Sequence, residues 1–137
     1  METTVVMKYV ADKEYTATNA SGNTVNIDMY GAEDKKAQSP MELLLSALAS
    51  CAAVDLVSMI KKRRKELVDL TAEVVGTRRD EVPKYYTNIH VKYEVTSPDA
   101  SEEEIGKLVA LATEKYCSVA STLNGTAEIT HSFTLKR

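Results

Sequence analysis

Segments of alternating apolar and polar residues, rich in β-formers, predict six strands, because successive side chains of a strand point to opposite faces. The alternation is clearest at residues 85–96, where one face carries Ile89, Val91, Tyr93 and Val95. The other predicted strands span residues 3–10, 14–19, 24–30, 68–77 and 126–136. Turn-forming residues at 20–23 and 78–84 predict that two pairs of these strands form hairpins.

A long helix is predicted at residues 41–60. Ser39 and Pro40 suit the N-cap and the first helical position, and Glu42 completes a capping box. The helix is apolar nearly all the way round, which is typical of a helix buried on every side. A membrane span is the alternative, since the length nearly suffices. Glu42 and Asp55 argue against it, because carboxylates inside a membrane are costly.

A second helix is predicted from the capping box of Ser101 and Glu104 to near Cys117. Its apolar stripe comprises Ile105, Leu108, Val109, Ala112 and Tyr116. A short helix at residues 118–123 precedes the last strand. This order predicts an α+β fold with antiparallel sheets packed around the long buried helix, in one domain of residues 1–137. Because so small a chain would struggle to cover that helix, we expect an intimate homodimer.

Composition narrows the classes of protein that the chain can belong to. Of its 137 residues, 44% are hydrophobic and 27% are charged, as expected for a globular core. The net charge of -3 gives no general attraction to nucleic acid or to anionic membranes. The N-terminus has no apolar signal segment, so we expect a cytoplasmic protein. In a reducing compartment its two cysteines are free, catalytic or incidental.

The two cysteines are the candidates for chemistry. Cys51 is either a small core side chain or a nucleophile, and a reactive thiolate needs a cation or a helix N-terminus nearby. Cys51 lies about three turns from the start of its own helix, so a cation has to come from another element. Cys117 is either a core residue or a disulfide partner, if the two Cα atoms lie within about 7 Å. The cysteines and histidines include no close-spaced pair of the kind that holds a metal ion. We therefore expect neither a metal site nor a cofactor.

Two segments resemble the OsmC/Ohr family. The first is Ser-Pro-Met-Glu-Leu-Leu-Leu at residues 39–45, followed by Ser50 and Cys51; the second is Glu-Lys-Tyr-Cys-Ser-Val at residues 114–119. The order of elements over essentially the whole chain is also similar, and the Pro-Met-Glu-Leu run resembles the less characterised branch of the family. The resemblance implies an OsmC-like fold and an intertwined homodimer with the cysteine-bearing helices at its centre.

The resemblance also implies a thiol-dependent peroxidase that reduces organic hydroperoxides. Cys51 would be oxidised to a sulfenic acid, and Cys117 would condense with it to a disulfide. A dithiol or a thiol protein would then reduce that disulfide. Glu42 completes the candidate catalytic set, because the family's peroxidases place a carboxylate at the start of this helix, where it works with an arginine.

The chain departs from those peroxidases at two points. Their carboxylate directly follows the proline, where this chain has Met41. Their activating arginine lies in the N-terminal part, whereas this chain has no arginine before Arg63. The available substitutes are Lys13, Lys35, Lys36, Arg78 and Arg79. The alternative function is therefore a non-enzymatic OsmC-like protein that binds an apolar small molecule at the dimer interface, lined by methionines and alanines of the long helix.

Overall fold

Three strands, β1 (Val5–Ala11), β2 (Glu14–Asn19) and β3 (Thr24–Asp28), form an antiparallel meander in the order β1-β2-β3. The computed structural model describes residues 1–137 and divides into two units, residues 1–44 and 45–137. The meander lies in the first unit and confirms the three strands predicted there. Its second turn contains Gly22 at a φ of 86°, which a residue without a side chain adopts most easily.

The long helix α1 spans Pro40–Lys62 and begins in the first unit. The predicted capping box is present: the Ser39 N–H donates to Glu42 Oε1 (2.9 Å), and the Glu42 N–H donates to Ser39 Oγ (3.3 Å). In the single chain α1 buries one stripe of residues and not its whole circumference. The stripe consists of Leu48, Ala52, Leu56 and Ile60. Val54 is 71% exposed and is the one large apolar residue of the helix that remains uncovered.

The second unit contains the sheet β4 (Asp69–Arg78), β5 (Tyr86–Thr96) and β6 (Glu128–Lys136), in that order. β4 and β5 are the predicted antiparallel hairpin, and the four apolar residues of β5 on one face are buried as predicted. β5 and β6 are parallel, so the expectation of antiparallel pairing is wrong for this pair. A long crossover that includes helices joins them, and parallel strands need a connection of that kind.

Three helical segments form that crossover: α2 (Glu102–Leu111), a π-helical turn (Ala112–Tyr116) and α3 (Ser118–Leu123). The structure confirms the predicted capping box of Ser101 and Glu104. The four apolar residues of the predicted stripe from Ile105 to Ala112 are buried, as predicted. Tyr116 is exposed, contrary to the prediction. The π-helical turn explains the difference, because its wider turn rotates the following residues away from the stripe of an α-helix.

By length and composition α1 is the one helix of the chain that could cross a membrane. The same criteria are met by the core helix of a soluble protein. In this chain α1 buries a stripe of four residues, as core helices do.

Candidate functional site

Cys51 lies in the middle of α1, next to the buried stripe. It follows the buried Leu48 by one helical turn and directly precedes the buried Ala52. Its own side chain is half-buried, and its thiol is free. This position holds the Cys51 side chain on a packed helix while leaving part of it accessible.

Cys117 approaches α1 from the crossover. It has an extended backbone (φ -72°, ψ 111°) between the π-helical turn and α3, where its side chain caps α3. The Ala120 N–H donates to Cys117 Sγ (3.3 Å), and the Cys117 thiol donates to the Leu48 carbonyl oxygen (3.9 Å). Since Leu48 lies one turn before Cys51, this contact brings the two cysteines to the same part of α1.

The surroundings of Cys117 favour its protonated form. The residue is 1% exposed, and this burial raises the pKa of its thiol. The hydrogen bond from Ala120 acts in the opposite direction, while interactions with the Cys51 thiol raise the pKa further. The structure therefore brings Cys51 and Cys117 into interaction, both as free thiols.

Tyr93 is a third member of this thiol site, although the alternation along β5 predicted only its place on the apolar face. Its side chain is fully buried on β5, and its hydroxyl donates to the carbonyl oxygen of Ala49 (2.7 Å) on α1. Burial raises the pKa of Tyr93 well above its usual range, and electrostatic interactions with Cys117 and Cys51 add to the effect. Its position in the centre of an apolar face was the available signal, because a buried tyrosine hydroxyl needs a partner.

Glu42, the third predicted site residue, belongs to the first unit. The backbone and hydroxyl of Ser39 both donate to Glu42 Oε1, at 2.9 and 3.0 Å. Together with Lys35, whose Nζ lies 3.4 Å from Oε1, these bonds lower the pKa of Glu42. The carboxylate is therefore held in its charged form, and its contacts are those of a helix cap.

Lys35 is the basic residue that pairs with Glu42. Its Nζ also donates to the carbonyl oxygen of Asp28 (3.0 Å) and lies 3.2 Å from Asp28 Oδ1. Burial of Asp28 opposes ionisation, but hydrogen bonds from Lys36, Lys35 and Ala37 outweigh it and lower the pKa of Asp28. The Asp28 side chain thus fixes the loop that carries Lys35.

The two arginines considered as substitutes stabilise the loop between β4 and β5. Arg78 Nε donates to the Lys84 carbonyl oxygen (2.7 Å), and Arg79 Nε donates to that of Pro83 (2.9 Å). The Arg79 guanidinium also stacks 4.3 Å from the centre of the Tyr85 ring. Of the five candidate cations, Lys35 is the one with a contact to a predicted site residue.

The histidines have local partners. His90, on the polar face of β5, contacts Thr130 Oγ1 (2.7 Å) and Ser132 Oγ (2.8 Å). His131 Nε2 lies 2.8 Å from Glu114 Oε2. No three His, Cys, Asp or Glu side chains lie close enough to hold a metal ion.

These features define a small α+β protein with two interacting thiols, one of them on its longest helix, and comparison with known proteins identifies its family. The model of the family described as OsmC-like protein matches residues 32–132. Protein YhfA of Escherichia coli K12 is 37% identical over 127 residues, which cover 93% of each chain. The chain belongs to the OsmC-like family, and this membership points to a peroxide-related stress function.

Solved structures agree with that assignment. A hypothetical protein from Aquifex aeolicus VF5 is 29% identical, with a TM-score of 0.86 over 99% of this chain and 97% of its own. The organic hydroperoxide resistance protein OhrB of Bacillus subtilis is 18% identical, with a TM-score of 0.67 over 98% of each chain. At that level of identity, the similarity to OhrB establishes the shared fold alone.

Proposed function

We propose that this chain is a cytoplasmic two-cysteine peroxidase that reduces organic hydroperoxides. The observation that carries the proposal is the interaction of Cys51 on α1 with Cys117 of the crossover, two thiols that meet at one turn of α1. The peroxide-related stress function of the family supports the choice of substrate.

The proposed reaction proceeds in three balanced steps. The Cys51 thiolate attacks the outer oxygen of the hydroperoxide; an S–O bond forms, the O–O bond breaks, and the alkoxide takes up the proton that the thiol released. Cys117 then attacks the resulting sulfenic acid, so that a disulfide forms and water leaves. A dithiol or thiol protein returns two electrons and two protons to the disulfide. No bound cofactor enters the cycle.

The burial of the two thiols fits these different roles. Cys51 is half-buried and has access for a peroxide, whereas Cys117 is sealed from solvent and has a raised pKa. A protonated, buried Cys117 does not compete for peroxide, because the thiolate is the nucleophile. It can still condense with a neighbouring sulfenic acid, and this division of labour is what a two-cysteine cycle needs.

Glu42 and Lys35 are proposed to assist the oxidation of Cys51 as the carboxylate and cation of this family. Because the charges of such a pair stabilise the charge that develops in the reaction, Glu42→Gln and Lys35→Met are expected to slow Cys51 oxidation by at least about tenfold. Stopped-flow measurement with cumene hydroperoxide checks this. Lys35→Arg should keep the rate of the original protein, in contrast to Lys35→Met, since arginine supplies a planar fork for the carboxylate. An equal loss in Glu33→Gln would contradict the assignment.

A homodimer is proposed because the single chain leaves too much apolar surface uncovered. Every apolar residue of β1 up to Val10 is exposed, with Tyr9 70% accessible, and in the second unit Val54 of α1 is also exposed. Patches of this kind mark interfaces in soluble proteins. Sedimentation at micromolar concentration is expected to give twice the chain mass of 15.1 kDa. A mass of one chain would contradict the dimer.

Disulfide mapping tests the proposed function directly. Reduced protein is treated with cumene hydroperoxide, quenched with an alkylating agent and analysed by peptide mass spectrometry. We expect one Cys51–Cys117 disulfide and one molecule of cumyl alcohol per chain. Cumyl alcohol, which lacks the O–O bond, is the matched control and should leave both thiols free. If excess peroxide produces no disulfide, the peroxidase is excluded and the apolar-ligand alternative is favoured.

A further inference from the structure

The two sulfurs of the proposed disulfide differ in their access to solvent. Cys51 is half-buried, whereas Cys117 is 1% exposed. The Cys117 thiol donates to the Leu48 carbonyl oxygen (3.9 Å), and the Ala120 N–H donates to its Sγ (3.3 Å). An attacking thiol has to contact the sulfur that it reduces, so access helps to decide which sulfur of a disulfide is attacked. A reducing thiol therefore reaches Cys51 more readily than Cys117, which first has to be uncovered.

Attack on Cys51 makes Cys117 the leaving group, and the surroundings of Cys117 suit that role. The hydrogen bond from the Ala120 N–H to its Sγ becomes stronger when the sulfur carries a charge, so it stabilises the thiolate at the moment of release. Burial then raises the pKa of the Cys117 thiol, so the released thiolate takes up a proton. Because the protonated thiol is a poor nucleophile, Cys117 is slow to attack the new disulfide and reverse the step.

We propose that the burial of Cys117 directs the thiol reductant to Cys51 Sγ, so that the mixed disulfide of the cycle forms on Cys51. In this step the bond between the two cysteine sulfurs breaks, and a bond forms between Cys51 Sγ and the sulfur of the reductant. The proton that the attacking thiol loses is balanced by the proton that Cys117 takes up. A second thiol then attacks the reductant's sulfur, and Cys51 leaves. The inference rests on the proposed function, because it assigns the last step of the same cycle.

A monothiol such as glutathione tests the site of attack, because it lacks the second thiol that would resolve the mixed disulfide at once. The Cys51–Cys117 disulfide is formed with diamide, which oxidises thiols without a peroxide. The oxidised protein is mixed with glutathione, quenched with acid at a series of times and analysed by peptide mass spectrometry. We expect at least about tenfold more glutathione on Cys51 than on Cys117, since attack on Cys117 requires local opening. Reduced protein is the control and should carry none.

The outcomes of this experiment separate the site of attack from the peroxidase activity. Glutathione mainly on Cys117, equal amounts on both cysteines, or none on Cys51 at any quench time would overturn the proposal. If diamide forms the disulfide but cumene hydroperoxide does not, the peroxidase is excluded while the site of attack is still measured. If neither oxidant forms the disulfide, the pairing of the two thiols is wrong and both proposals fail.

Two variants of Tyr93 test whether burial of Cys117 decides the site of attack. The Tyr93 ring is fully buried, and its hydroxyl donates to the Ala49 carbonyl oxygen of α1 (2.7 Å). Tyr93→Ala removes the ring, so the share of glutathione on Cys117 should rise at least about fivefold. Tyr93→Phe is the matched control and should keep the mixed disulfide on Cys51. An unchanged distribution in Tyr93→Ala would contradict the proposal. If Tyr93→Ala fails to fold, the mapping in the original protein decides.

Discussion

Replacing Cys51 with serine is expected to abolish the reduction of cumene hydroperoxide, with a loss of at least about a thousandfold in rate. A serine hydroxyl is not ionised near neutral pH and cannot form a sulfenic acid, so the first step has no nucleophile. The side chain is half-buried and similar in size, so the variant should fold like the original protein. Consumption of peroxide with dithiothreitol as reductant measures the effect.

Cys117→Ser is the control that separates the two thiols. Without dithiothreitol, this variant keeps the nucleophile but lacks the resolving thiol, so it should consume about one equivalent of peroxide and accumulate a Cys51 sulfenic acid. Trapping with dimedone, followed by mass spectrometry, identifies that species. Full activity in Cys51→Ser, or dimedone labelling of Cys117 in that variant, would assign the chemistry to a different residue and refute the proposed cycle.

Hydrophobic periodicity predicted most of the fold, because it acts through local geometry. The alternation along β5 and the capping boxes of α1 and α2 each depend on a few neighbouring residues, and all appear where the sequence placed them. The direction of β6 depends on which strand it meets after the crossover. That choice is made by tertiary packing, so a pattern within β6 could not reveal that it runs parallel to β5.

The π-helical turn shows a second limit of periodicity. In an α-helix, residues spaced by three and four positions share one face. This spacing fits α2 up to Ala112 and would then place Tyr116 on the buried face. The wider turn changes that count, so Tyr116 is exposed. The same turn carries Thr113, whose buried hydroxyl has no hydrogen-bond partner, and no feature of the sequence marks this turn.

The pairing of the two cysteines at the candidate site was predictable only from the family resemblance. Nothing in the spacing of Cys51 and Cys117 requires that they meet, since Cys51 lies on α1 and Cys117 in the distant crossover. The resemblance paired them, and the structure brings them into interaction. Lys35 was one of five cations that the sequence offered, and its contact with Glu42 depends on the loop that Asp28 holds in place. Tyr93 was missed because its role depends on a carbonyl group of another element.

Tyr93→Ala is expected to give the largest loss of stability among single substitutions at the thiol site, about 3–5 kcal/mol in the free energy of unfolding. The ring is completely buried on β5, so its removal leaves a cavity beside α1. Tyr93→Phe keeps the ring and loses only the hydrogen bond to Ala49, so about 1 kcal/mol is expected. Urea titrations at one fixed protein concentration measure both values, and the exposed Tyr116→Ala should stay within about 0.5 kcal/mol.

The same variants show whether Tyr93 keeps Cys117 closed to solvent. Cys117 is sealed in the native protein, so N-ethylmaleimide should react with it slowly until the surrounding side chains open. Tyr93→Ala opens a path beside α1 and is expected to increase the alkylation rate of Cys117 at least about tenfold, because stability and local opening are linked. Tyr93→Phe should change it little, since the ring remains. An equal increase in both variants would mean that the hydroxyl bond to Ala49, and not the volume of the ring, holds β5 against α1.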